Sequence, residues 1–314
     1  MNREPDRDTG WSGLESGLEY GGALPGDNAL ESGGLPAGEC VYGAIGGLAY
    51  QALLREAETT PKPGLVDLNN SGAHKDMDIR LFRISAAAIA PYLTRFARLG
   101  AEEAGETLHT RLPGIRPLGM EAEGAMFAAT RGVNTHKGAI FTMGILTYLA
   151  GRQTALREPL APEGICALAK ELCAGVEREL VTGRSGTKGE RAYRAYGVTG
   201  IRGEAAAGFP SVLRVALPCL RLPGLMENLR LCHGLVHLMA KVEDTNVLSR
   251  GGPAGAAYVK AAAQSFLEAH DPKDRGYLEA LAELDRDFIE RGLSPGGSAD
   301  LLAAAWFLDS LGGL

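Results

Sequence analysis

The sequence predicts an all-α protein, a single domain of about ten helices, on three observations. Apolar residues recur at helical spacing from residue 44 onward, strand signals are almost absent, and no segment repeats with the roughly 20 to 50 residue period of a solenoid. A chain of 314 residues, 45% apolar and 22% charged, has the composition of an ordinary globular fold with a real core.

The first forty residues stand apart from that pattern. They contain nine Gly and eight acidic residues, only Arg3 and Arg7 are basic, and no apolar periodicity appears. Residues 1–40 are therefore expected to be a disordered tail and 41–314 the folded domain. Residues 41–314 carry 30 residues of each sign, so the formal charge of −6 belongs to the tail. A neutral folded domain argues against a nucleic-acid partner and confines any phosphate site to a local patch. The chain opens without a basic segment followed by an apolar one. Its longest uncharged run, 15 residues from Cys40 to Leu54, is shorter than the roughly 20 apolar residues of a bilayer span, so no membrane partner is expected. Five cysteines (Cys40, Cys166, Cys173, Cys219, Cys232), an odd number with no CxxC pair, fit reduced packing thiols in a cytoplasmic protein.

The helices follow in order. Ile45, Leu48, Ala52 and Leu53 form the first stripe, and helices are expected over 79–98, 118–131 and 138–150. Ile165, Leu168, Leu172, Val176 and Leu180 form another stripe. Helices over 225–241 and 254–269, a stripe of Tyr277, Leu281, Leu284 and Phe288, and a last helix over 299–311 complete the set. Pro91 and Pro218 are expected to kink or end the segments they interrupt.

Between these helices the loops collect Gly, Asn, Asp, His, Lys and Arg, the way a helical bundle builds a site. The first such motif is TPKPGLVDLNNSGAHKDMD, Thr60 to Asp78. It ends on Asp76 and Asp78 beside His74 and Lys75. Asp78 is either the N-cap of the next helix or, with Asp76, part of a hard-cation or phosphate site. The second, Glu121 to Phe141, places His136 and Lys137 after Asn134 at a helix N-terminus, where free N–H groups and the macrodipole attract phosphate. It is not a Walker A loop, because GVNTHKG lacks the spacing before GK and the following Ser or Thr. The third, Gly183 to Phe209, interleaves Arg184, Lys188, Arg191, Arg194 and Arg202 with Tyr193 and Tyr196 among seven glycines. That composition suits gripping a polyphosphate and stacking a base, or else a solvated mobile loop. Glu204, after an expected turn at Gly203, is a candidate base or metal ligand. The fourth, KVEDTNVLSRGG, puts Glu243 and Asp244 at the expected end of a helix, where its dipole disfavours acids and so hints at function. Arg250 follows. The fifth, LSPGGSADLLA, is a turn into the last helix with Ser298 placed as N-cap and Asp300 in the first turn. His233 and His237, spaced i, i+4 on a helix, could bind a metal, but no HExxH pattern or third ligand accompanies them, which argues against that role.

Together these motifs resemble the triphosphoribosyl-dephospho-CoA synthase family, which supports citrate lyase and malonate decarboxylase. The resemblance runs from about residue 44 to 311. It includes TPKPGLVD at 60–67, GAHKDMD at 72–78, GVNTHKGAIF at 132–141, YGVTGIRGEAAAGFP at 196–210, VEDTNVLSRGG at 242–252 and SPGGSADLLA at 294–303. It implies an all-α, Mg²⁺-dependent transferase whose substrates are ATP and 3′-dephospho-CoA. C1 of the ATP ribose is joined to the 2′-hydroxyl of the acceptor, adenine leaves, and the triphosphate stays on the product. That product goes on to a carrier-protein prosthetic-group transferase.

Breaking a ribosyl-adenine bond asks for a carboxylate near C1 and a proton donor near the base. The expected catalytic carboxylates are Glu243, Asp244 and Glu204. Asp76, Asp78 and Asp300 are expected around Mg²⁺, and Lys62, Asn134, His136, Lys137, Lys188, Arg202 and Arg250 on the nucleotide. A Mg²⁺-dependent hydrolase of ADP-ribose-type glycosidic bonds and a non-catalytic carrier of a CoA nucleotide are the rival readings. Water would replace the acceptor in the first, and the second would need no carboxylates.

Overall fold

The computed structural model describes residues 37–182 and 188–314, with side chains from 41 to 181 and from 189 onward. Most of the tail expected over 1–40 lies outside the described residues, as do Arg184 and the side chain of Lys188. Thirteen α-helical segments and no strand occur among the described residues. They are α1 (Ala37–Glu58), α2 (Ile79–Glu102), α3 (Leu112–Ala129), α4 (Lys137–Leu156), α5 (Pro162–Leu172), α6 (Glu179–Thr182), α7 (Lys188–Tyr196), α8 (Gly200–Ala207), α9 (Leu217–Leu220), α10 (Glu227–Lys241), α11 (Thr245–Ala269), α12 (Tyr277–Glu290) and α13 (Gly296–Ser310). No helix among the described residues is long and apolar enough to cross a membrane.

The centre of the fold is α4. Its residues are buried almost continuously from Lys137 to Gly151, as expected of a helix that is apolar all round. α2, α3, α5, α1 and α13 pack around it, and Phe96, Phe141, Tyr148 and Phe307 are fully buried in the shared core. α2 and α4 approach closely because both carry glycine at the crossing. A Cβ on Gly100 would lie 1.8 Å from the Tyr148 carbonyl oxygen, and one on Gly151 would lie 1.9 Å from that of Ala97.

Four segments differ from what periodicity suggests. The stripe from Ile165 to Leu180 is not one helix, because α5 stops at Leu172 and Gly175, at φ +83°, turns the chain before a short helical turn and α6. Pro91 neither ends nor interrupts α2, where its missing N–H sits on the exposed side. Ahead of Pro218 the chain widens into a π turn over Val212–Ala216, an arrangement that frees the carbonyl a proline ring would otherwise strike. α11 begins at Thr245, nine residues before its expected start at 254, and is bent at Gly252, at φ +60°, just before Pro253.

The α2–α4 crossing gives the first prediction. Gly151→Ala should lower stability by about 1–3 kcal/mol, the usual cost of overpacking. Gly164→Ala on α5, where a Cβ meets nothing within 4 Å, should be neutral or slightly stabilising. Denaturant midpoints measure both, and equal stability of the two variants would refute the close crossing.

Candidate active site

A cavity of about 600 Å³ receives residues from all five loop motifs. Four helices begin at its wall. His136–Ala139 open α4, Thr199–Arg202 open α8, Asp244–Asn246 open α11, and Gly296, Gly297, Ala299 and Asp300 open α13. The positive ends of four helix dipoles therefore meet around one space, which suits an anionic ligand.

The loop from Thr59 to Asp78 is folded inward by two carboxylates. Asp67 accepts hydrogen bonds from Thr60 Oγ1 (2.8 Å), Lys62 N (3.0 Å), Asn69 N (2.7 Å) and Asn70 N (2.9 Å). Asp285 on α12 accepts from Gly64 N (2.9 Å) and Asn70 Nδ2 (2.8 Å). The result drives Lys62 into the interior, 1% exposed. There its Nζ donates to the Glu56 carbonyl at 2.7 Å and pairs with the Glu56 carboxylate. At the rim, Arg250 donates to the Ala73 carbonyl (3.1 Å) and contacts His74 Nδ1 (3.0 Å), while His74 Nε2 meets Ser294 Oγ at 2.8 Å. Asp76 also lies at the rim, its side chain 67% exposed and 3.9 Å from His74. Asp78 is the N-cap of α2, accepting from Leu81 N at 2.8 Å, and does not line the cavity.

α4 begins with a buried imidazole. His136 Nδ1 lies 2.7 Å from Ser85 Oγ on α2, and Thr135 Oγ1 donates to the same Ser85 oxygen at 2.6 Å. Ser85 then has His136 Nδ1 as the acceptor for its own proton, which leaves Nε2 carrying hydrogen. That Nε2 is buried and without a hydrogen-bond partner among the described residues. Burial, and then the charge of Lys62, lower the His136 pKa to about 3, so the ring is neutral. Next to it, Lys137 is buried beside Glu123 at 3.8 Å and under the Phe127 ring. Asn134 Oδ1 accepts from the Lys137 backbone N–H at 3.3 Å, a turn bond at the start of the helix.

The acids expected at a helix C-terminus are not there. α10 ends at Lys241, and Asp244 is the N-cap of α11, the end at which a carboxylate is favoured. Its Oδ1 accepts from Asn246 N (2.9 Å) and Val247 N (3.3 Å), and its Oδ2 from Ser298 N (2.9 Å) and Ser298 Oγ (3.3 Å). Ser298 thus lies inside the first turn of α13 as a donor to Asp244, and Pro295 holds the N-cap position. Glu243 lines the open side of the cavity, its side chain 56% exposed and paired with Lys260. Gly203 lies inside α8 rather than in a turn, so Glu204 is helical, and its carboxylate accepts from Ser211 Oγ (2.6 Å) and N (3.2 Å) at the cavity wall. Arg202 lines the same wall, 8% exposed.

Asp300 has a different environment. Its carboxylate accepts no hydrogen bond among the described residues and lies against Gly138, where a Cβ would come within 2.1 Å of Oδ2. Burial first, then the charges of Glu56 and Asp244, push its pKa well above the ordinary carboxylate range. Glu56 was not singled out by sequence reasoning, because it closes an apolar helical stripe and carries no motif of its own. Ser85 was missed too, although a lone hydroxyl within the apolar run Ile84–Ala90 is a signal that could have found it.

A family model described as CitG, ATP:dephospho-CoA triphosphoribosyl transferase, matches residues 43–314. No solved structure gives a significant match.

The geometry of Asp244 predicts a structural role. Losing an N-cap costs about 0.5–2 kcal/mol and leaving a buried N–H unpaired about 1–3 kcal/mol, so Asp244→Ala should lower stability by about 2–4 kcal/mol and turnover with it. A variant of normal stability that has lost turnover would return Asp244 to the chemistry.

Proposed function

The chain belongs to the ATP:dephospho-CoA triphosphoribosyl transferase family, an enzyme family, and on that premise we propose that the cavity joins C1 of the ATP ribose to the 2′-hydroxyl of 3′-dephospho-CoA with release of adenine. The observation that carries this reading is the meeting of four helix N-termini, two arginines and several carboxylates in one cavity of about 600 Å³. In the transfer, the bond from C1 to the adenine nitrogen breaks and the bond from C1 to the acceptor oxygen forms. The hydroxyl proton goes to a carboxylate, and the departing adenine is stabilised by a donor.

His136 suits the donor. It lines the cavity, and its other ring nitrogen is engaged by Ser85, so a hydrogen bond from Nε2–H to adenine would satisfy a group without a partner among the described residues. Glu204, fixed by Ser211, suits the proton acceptor. Arg202 on α8 and Arg250 on α11 both line the cavity and suit the triphosphate together with the helix N-termini. Lys62 and Lys137 are held by Glu56 and Glu123 and set the charge of the floor instead.

The residues fit Mg²⁺. Asp300 and Glu56 both line the cavity, and although Lys62 already pairs with Glu56, burial and the charges of Glu56 and Asp244 disfavour an ionised Asp300, which a bound cation would offset. One or two carboxylates with phosphate oxygens make a usual Mg²⁺ donor set. These two residues would hold the ion, with Asp76 at the rim as a further oxygen donor. When bound, Mg²⁺ would neutralise charge on the triphosphate. The product is the precursor of the prosthetic group on the acyl-carrier subunit of malonate decarboxylase or citrate lyase, passed on by a carrier-protein transferase in the cytoplasm.

Adenine release from ATP should require dephospho-CoA, since the acceptor hydroxyl is the nucleophile. Chromatography of reactions with and without the acceptor checks this, and equal adenine plus free triphosphoribose without it would make the protein a hydrolase. Asp300→Asn should weaken nucleotide binding and recover part of it at higher Mg²⁺, because mass action refills a weakened site. ATP affinity measured at two Mg²⁺ concentrations is the readout, and affinity unchanged at both would remove Asp300 from the metal.

A further inference from the structure

Outside the cavity the fold brings together a second set of ligating side chains. Cys219 on α9 and His233 and His237 on α10 place a sulfur and two ring nitrogens within 4.8 Å of one another, and none of the three lines the cavity. The third ligand that the i, i+4 histidine pair lacks in sequence is supplied by a residue fourteen positions before His233.

We infer that Cys219, His233 and His237 form a Zn²⁺ site that fastens α9 to α10. The Nε2 atoms of the two histidines lie 3.1 Å apart with ring planes at 81°. Two nitrogens bound tetrahedrally at Zn–N distances of about 2.0–2.1 Å are separated by about 3.3 Å, so the pair is nearly at ligand spacing. His233 Nδ1 contacts the Tyr277 hydroxyl at 3.0 Å, the kind of outer partner that fixes the tautomer and ring orientation of a ligating histidine. Cys219 and His233 are buried and His237 is half-buried, which leaves one side of the cluster for a water as fourth ligand.

The donor set selects the ion. Thiolate with imidazole suits Zn²⁺, whereas Mg²⁺ takes hard oxygens, so this site and the cavity would not compete for one metal. Binding releases the Cys219 thiol proton to solvent. α9, Leu217–Leu220, ends a helical run that passes through the π turn, with Pro218 in its first turn, and the site would tie that end to α10.

Co²⁺ is the probe, because a thiolate ligand gives it a charge-transfer band in the near ultraviolet. Titrating the full chain without nucleotide should produce that band at one Co²⁺ per chain, and Zn²⁺ should abolish it. Cys219→Ser should lose the band with its helical circular dichroism intact, and Tyr277→Phe should keep the band while binding about 10-fold to 100-fold more weakly. If Cys219→Ser unfolds, His237→Gln on the half-buried ring decides, and it must weaken Co²⁺ binding at least about tenfold. Absence of the band in the unaltered chain, its persistence in Cys219→Ser, or unchanged affinity in His237→Gln would overturn the site and leave a hydrogen-bonded histidine pair.

Discussion

One buried carboxylate sets the geometry of the cavity. Asp244 stands where α10 has ended and the chain is extended, and its two oxygens receive donors from the first turns of both α11 and α13. Burial raises its pKa while the backbone donors oppose that shift, so the hydrogen bonds are what let a charge remain there. The approach also needs glycine, since a Cβ at Gly297 would lie 3.1 Å from Asp244 Oδ2. From this junction α11 projects Asn246 and Arg250, and α13 projects Asp300. The relative placement of a rim arginine and a floor carboxylate thus follows from one side chain that touches neither.

The fold was legible where a single period decides. α4, α10, α12 and α13 lie close to the expected segments because their buried faces repeat without interruption. It was less legible where a local backbone device overrides the period. Gly175 splits the stripe from Ile165 to Leu180, and a π turn absorbs Pro218. A left-handed glycine joins two helical runs into α11. None of these changes the spacing of apolar residues, which is all that periodicity measures.

The site was legible as a set of motifs and less so as roles. Sequence identifies which loops are polar, and all five reach the cavity. It does not say which oxygen of which acid is already used. Asp78, read as a cap or a metal ligand, and Asp244, read as a catalytic carboxylate, are both placed as helix caps, while Glu56, without a motif, is the partner of Lys62. Cys219 is hidden by the same limit, because it joins His233 and His237 through the packing of α9 on α10 and through no local pattern.

The arrangement also accounts for a neutral domain proposed to handle a highly charged substrate. Equal numbers of acidic and basic residues over 41–314 give no overall attraction for phosphate. The two lysines at the cavity are paired with Glu56 and Glu123, and the imidazole of His136 is neutral. Attraction must then come from Arg202, Arg250 and the N-termini of α4, α8, α11 and α13. Helix ends supply partial charges that are fixed in direction and need no side chain to reorganise when the ligand arrives. Carboxylates can share such a cavity because Asp244 serves as a cap and Glu56 and Glu123 are paired with the two lysines. An all-helical bundle whose helices begin at one place therefore provides both signs of charge close together, as a reaction that holds phosphate and moves protons requires.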